Sequence, residues 1–217
     1  VAEGRADELE DLLRADNASP RVSLAVLPGL ADRPSELAPT RYSPVGALSA
    51  GGDPEPLIRA SGGRIRVQDE GSQLAALALS RAEPVSVGER WLDLCAGPGG
   101  KTALLAAEAL AGGALLEANE IAPARAGLVR QALAGVPAEV SVSEEDGRSR
   151  AGHGRYDRIL VDAPCTGLGA LRRRPEARWR KSPQDVAELA SLQRELLESA
   201  LDALTPGGIV AYVTCSP

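Results

Sequence analysis

Phenylalanine and methionine are missing from this sequence of 217 residues, histidine occurs once and aromatic side chains make up 2%. The lone His153, together with three cysteines that show no Cys-x-x-Cys spacing, argues against a structural zinc site. The odd count of Cys95, Cys165 and Cys215 also argues against a disulfide framework and points to a reducing compartment. No apolar run approaches the roughly 20 residues that span a bilayer. The acidic opening Val1-Ala2-Glu3-Gly4-Arg5-Ala6-Asp7 is unlike a signal peptide. By elimination, the expectation is a cytoplasmic monomer without membrane or metal partners. The chain has no initiator methionine and stops at Pro217 directly after an apolar run, so it reads as part of a longer one.

What is present suits one α/β domain with an appendage, since 44% of residues are hydrophobic and 25% charged. The net charge of −6 would by itself discourage a nucleic-acid partner. Its distribution says otherwise. Residues 1–60 hold 10 acidic and 6 basic side chains, whereas Arg172 to Lys181 hold six basic and one acidic. Within that strip Arg172, Arg173, Arg174, Arg178, Arg180 and Lys181 are placed to track phosphates, and Trp179 to stack on a base. A solvated surface loop is the plainer alternative. His153, in a glycine-flanked loop, carries no expected chemistry.

Residues 3–16 predict a short polar helix, and residues 17–60, rich in Pro, Gly and Ser, predict a small mixed α/β appendage. The main domain is expected over 61–217. A short strand over 64–67 precedes a helix capped by Asp69, after which strands and helices alternate: strand 90–95, helix 101–111, strand 114–119, helix 123–134, strands 138–142 and 157–162, helix 183–204 and strand 209–214. Such alternation predicts an α/β fold with a mainly parallel sheet. The last helix carries the clearest signals. Ser182, Pro183 and Asp185 open it as a capping box, Pro206-Gly207-Gly208 closes it, and Val186, Leu189, Leu196, Leu197, Leu201 and Leu204 form its expected buried stripe.

A strand ending in Asp93 passes through Cys95-Ala96-Gly97-Pro98-Gly99-Gly100-Lys101 into a helix, and glycines there let backbone N–H groups approach a nucleotide-like ligand. Glu120, about twenty residues on at the next strand end, suits ribose hydroxyls. The turn matches neither GxGxxG nor GxxxxGK[ST], which removes the main support for hydride or phosphate transfer. Cys165, in Asp162-Ala163-Pro164-Cys165, and Cys215, in Thr214-Cys215-Ser216-Pro217, each follow a strand and should face one crevice, where Lys101 is expected to favour their thiolates. Cys95 reads as a small buried hydrophobe whose backbone lines the loop.

Five segments carry a resemblance: Val67 to Gln73, the glycine loop through Lys101-Thr102, Asp162 to Cys165, Arg173-Arg174-Pro175-Glu176 and Thr214-Cys215-Ser216. In that order, over roughly residue 60 to the end, the chain resembles bacterial RNA (cytosine-5)-methyltransferases of the Fmu/Sun (RsmB-like) type. The resemblance implies a Rossmann-like methyltransferase fold, here truncated after the strand ending at Cys215. It also implies S-adenosylmethionine held by the loop Cys95 to Lys101, by Glu120 at the ribose, Asp146 near the adenine, and Asp162. The attack of a thiolate on carbon 6 makes carbon 5 of cytosine nucleophilic. The resemblance gives that attack to Cys215 and product release to Cys165, and Asp162 would hydrogen-bond the base. The expected substrate is RNA, 16S ribosomal RNA favoured, with a transfer-RNA methyltransferase or a non-catalytic RNA-binding assembly factor as alternatives. The family loop more often reads Ala-Ala-Pro-Gly-Gly, where this chain has Gly97 at the second position.

Overall fold

A computed structural model describes residues 6–17, 21–150, 154–171, 175–180 and 182–215. A 3-10 turn (Ala6–Glu8) and helix α1 (Leu9–Asn17) come first. Strands β1 (Ser23–Val26), β2 (Gly46–Leu48) and β3 (Ile65–Val67) form an antiparallel sheet in the order β2-β1-β3, with helix α2 (Glu55–Ala60) between its last two strands. Leu24, Val26, Leu37, Ala47 and Ile65 fill its core. Its third strand lies beyond residue 60, the boundary expected from composition.

Helix α3 (Glu70–Ser80) joins this sheet to the main one. The Gln73 amide donates to the Leu24 carbonyl at 3.2 Å, and Glu70 accepts from the backbone N–H groups of Tyr42 and Ser43. Then follow β4 (Arg90–Asp93), α4 (Gly100–Gly112), β5 (Leu115–Asn119), α5 (Pro123–Leu133), β6 (Ser141–Ser143), α6 (Gly147–Arg150), β7 (Tyr156–Asp162), α7 (Pro183–Ala203) and β8 (Leu204–Val213). The five strands β6-β5-β4-β7-β8 pair in parallel in that order. The chain leaves β4 towards β5 and later returns to β7 on β4's other side. The resulting switch point places a crevice at the strand C-termini, where ligands bind in open α/β sheets. Among the described residues no helix is long and apolar enough to cross a membrane.

Two expectations for α7 change. The capping box forms, with the Ser182 N–H donating to the Asp185 carboxylate at 2.7 Å. The buried face, however, is Leu196, Ala200 and Ala203 with Leu192 beside them, whereas Val186 and Leu201 are more than half exposed. Close approach of a helix to a sheet needs small residues, and a stripe chosen by side-chain size misses them. The strand also begins at Leu204, before the Pro-Gly-Gly stop. Tyr156 pairs with Leu204 and Arg158 with Ile209, so the residues between bulge out of the ladder.

A basic residue stands inside the core. Arg158 on β7 is 2% exposed, and all of its donors are met: Glu89 at 2.8 and 3.2 Å, and the carbonyls of Leu79, Ser80, Glu83 and Pro84 at 2.8–3.1 Å. Its guanidinium lies 5.1 Å from the centre of the buried Trp91 ring. A buried charge persists only when paired and hydrogen-bonded in this way.

Candidate functional site

At the switch point β4 ends in Asp93, and the loop to α4 crosses the sheet edge. The Ala96 N–H donates to the Asn119 carbonyl at 2.9 Å and the Gly97 N–H to Glu120 Oε2 at 3.0 Å. A Cβ on Gly97 would collide with the Glu120 carboxylate and approach Arg125 Nε to 2.7 Å. Gly99 has φ +103°, and a Cβ there would lie 2.6 Å from that of Ala132. Gly99 is therefore required, by close approach and by its left-handed backbone, whereas at Gly97 the atoms in the way are the ends of the Glu120 and Arg125 side chains, which would have to shift. The loop and its neighbours wall a cavity of about 1250 Å³, lined among others by Cys95, Pro98, Lys101, Glu120, Asp146, Asp162, Cys165 and Cys215.

Acidic groups dominate it. Lys101 Nζ donates to Asp162 Oδ2 at 2.7 Å and to Ser72 Oγ at 3.3 Å. Asp93 lies beneath the loop, with one oxygen accepting from Thr102 Oγ1 at 2.7 Å and the other buried without a partner. Burial, opposed by the Thr102 hydrogen bond and aided by the charge of Asp162, raises the Asp93 carboxyl to about 7. Glu120 is 3% exposed and accepts from the N–H groups of Gly97 and Ala122. Asp146 is gripped by the Arg148 guanidinium and backbone N–H, which hold its carboxyl down at about 2.

The sulfurs of Cys165 and Cys215 stand 3.1 Å apart. Strand pairing sets this convergence, because the Ala163 N–H donates to Val213 C=O at 2.9 Å and brings both strand ends level. The Gln193 amide of α7 holds the Pro164 carbonyl at 2.8 Å. The expected help from Lys101 does not appear, since its ammonium is spent on Asp162. Burial, the Cys165 hydrogen bond and the nearby negative charge instead push the Cys215 thiol up to about 11. Burial likewise raises Cys95 to about 12, in keeping with an inert thiol.

The crevice thus gathers Cys95, Pro98, Lys101, Glu120, Asp146, Asp162, Cys165 and Cys215, with Ala96, Gly97, Gly99 and Gly100 in the loop beside them. From the basic strip, Arg180 lines the rim and Trp179 is 84% exposed. Arg172, Arg173, Arg174 and Lys181 lie outside the described residues, as do His153, Ser216 and Pro217, and so does the side chain of Arg178. Sequence reasoning passed over three features. Ile121 and Leu128 are apolar, largely exposed and at the mouth. Asn119 binds Ser143 Oγ at 2.8 Å and the Glu145 backbone, shaping the Asp146 loop. A second cavity of about 760 Å³ meets the first at Ser72, Lys101, Asp162, Ala170 and Cys215, and reaches Arg21 and Ser23 beside the small sheet. An exposed apolar residue directly after the acidic strand end at Glu120 was the one legible signal among these.

A family model described as 16S rRNA methyltransferase RsmB/F matches residues 82–217. Rv1407 of Mycobacterium tuberculosis, named as a candidate methyltransferase, is 52% identical over 216 residues, which are 97% of this chain and 47% of that protein. Ribosomal RNA small subunit methyltransferase B of Salmonella agona is 40% identical over 157 residues, 71% of this chain and 35% of that one. The crystal structure of PH0851 superposes with a TM-score of 0.85 at 30% identity, covering 97% of this chain and 50% of that one. NSun6 from Pyrococcus horikoshii, solved with SFG, gives 0.62 at 28% identity, with coverage of 72% and 39%. The chain spans about half the length of the curated relatives first matched.

Proposed function

Because this chain belongs to the 16S rRNA methyltransferase RsmB/F family, we propose that it methylates carbon 5 of a cytosine in RNA. The donor is S-adenosylmethionine, the substrate small-subunit ribosomal RNA, and the place of action the cytoplasm. The observation that carries this reading is the pair of thiols 3.1 Å apart in the wall of the larger cavity, with Cys215 also facing the smaller one.

The residues present fit the donor. The glycine turn leaves no room for a Cβ at Gly99, Glu120, Asp146 and Asp162 line the larger cavity, and that cavity is roomy enough. Glu120 retains lone pairs for ribose hydroxyls beyond the two backbone N–H groups it accepts. Ile121 and Leu128 would flank the adenine, and Asp146 would lie near its amino group. The SFG carried by the NSun6 neighbour, an analogue of S-adenosylmethionine, supports the same choice. When bound, the donor supplies an electrophilic methyl group on a sulfonium centre.

The protein's own part is nucleophilic catalysis. Cys215 adds to carbon 6 of the cytosine, turning carbon 5 into an enamine carbon. Asp162 accepts from the amino group and, once the addition has placed a proton on the ring nitrogen, from that N–H as well, and Lys101, 2.7 Å away, fixes the carboxylate for that task. Release is an elimination in which the proton on carbon 5 passes to a base, the carbon–sulfur bond breaks and the Cys215 thiolate returns; Cys165 in its thiolate form, beside the attacking sulfur, is the group placed to take that proton.

RNA containing 5-fluorocytosine tests the scheme, because the C–F bond blocks elimination and the adduct persists. With labelled donor, wild-type enzyme and Cys165→Ala should both be trapped, and Cys215→Ala should not. If Cys165→Ala alone prevents trapping, the two roles are exchanged. Methyl transfer by the double variant would refute the thiol mechanism. Supplying 16S and transfer RNA separately reads out the substrate class.

A further inference from the structure

Cys215 lies two residues beyond the end of β8. Its carbonyl is held from another direction. The Gly169 N–H donates to Cys215 C=O at 2.8 Å, from the middle of a 3-10 turn (Leu168–Ala170) just after Cys165. A Cβ built on Gly169 would lie 2.7 Å from that oxygen and 3.2 Å from its carbon. Both atoms are backbone, so no side chain can swing aside. Gly169 does not adopt a left-handed backbone, unlike its neighbour Gly167 at φ +73°. Proximity to Cys215, not conformational freedom, explains why residue 169 has no side chain.

We propose that Gly169 is a positioning residue that clamps the Cys215 backbone onto the loop carrying Cys165, and so sets the spacing of the two thiols. The proposal rests on the reading of Cys215 as the attacking group. The loop that delivers the release thiol thereby also aims the nucleophile. A displacement of under an ångström suffices to matter, because attack requires near-contact geometry and misplacement of about 1 Å costs about a hundredfold.

The test is Gly169→Ala in the full chain, with Leu168→Ala as control. Diamide oxidises two neighbouring thiols to a disulfide and is itself reduced to the hydrazine, so its crosslinking rate reports thiol spacing without any methyl transfer. Gly169→Ala should slow Cys165–Cys215 crosslinking by about tenfold or more and lower kcat by about tenfold to a hundredfold. KM for donor and RNA should stay within about twofold, and Leu168→Ala should change none of these. Crosslinking of Gly169→Ala at the wild-type rate overturns the proposal, as does an equal defect in Leu168→Ala. Should Gly169→Ala fail to fold, amide exchange in the wild-type protein decides: the exposed Gly169 N–H must be protected, and free exchange refutes the clamp. Trapping of RNA by Cys215→Ala would instead sink the assignment of the nucleophile and leave the crosslinking result standing.

Discussion

Replacing Cys165 by alanine should make Cys215 more reactive towards a simple alkylating agent, although it removes one of the two working thiols. Burial first, then the hydrogen bond and negative potential of Cys165, then the charge of Asp162, raise the Cys215 thiol from its ordinary 9.0 to about 11. At pH 7 about one such thiol in ten thousand is ionised, against about one in a hundred for an unperturbed group. Complete relief would therefore increase the thiolate about a hundredfold. A less basic thiolate is also a weaker nucleophile, with a Brønsted slope of about 0.4–0.5, which leaves a ceiling of about tenfold in rate. Burial survives the substitution, so the expected gain is about three- to fivefold at pH 7. The assay is iodoacetamide labelling of the Cys215 peptide, followed by mass spectrometry from neutral to alkaline pH without RNA. A rate that falls or stays level, with its midpoint still near 11, would refute the electrostatic account of the pair.

Two further outcomes follow from buried charge. Arg158→Ala removes the cationic partner of Glu89, which keeps only the Ser86 and Trp91 N–H groups, and takes the guanidinium from four carbonyls, so urea unfolding should show a loss of about 3–5 kcal/mol, whereas a loss under about 1 kcal/mol would contradict the network. Asp93 has a folded pKa of about 7 against 3.8 ordinarily, so between those values the folded state keeps a proton that the unfolded chain has lost. Stability of the donor-free protein should accordingly fall as pH rises through that window. Asp93→Asn should flatten the dependence, and an unchanged pH slope in the variant would show that the buried carboxyl is not its source.

The alternation of strands and helices, the capping box at Ser182 and the convergence of Asp162, Cys165 and Cys215 were legible because each rests on local patterns: hydrophobic period, cap chemistry and strand ends. What escaped depends on contacts distant in sequence. Ala200 and Ala203 look too small to anchor a helix until the sheet beneath it is known. Lys101 seemed available to the thiols because sequence cannot show that Asp162 claims it first. The second cavity exists only because the small sheet is docked beside α3, an arrangement that no motif announces.

The Arg158 knot also has a consequence for how the protein is made. Its partners lie 69 to 79 residues earlier in the chain, in the end of α3 and the turn that leads from it into β4. During synthesis that turn leaves the ribosome long before the guanidinium that ties it down. The first strand of the larger sheet must therefore wait, with its approach unsecured, until β7 arrives to be laid alongside it. Pairings of such sequence separation are slow to form, so completion of the sheet is timed by β7, the fourth of its five strands to be made, rather than by β4, the first.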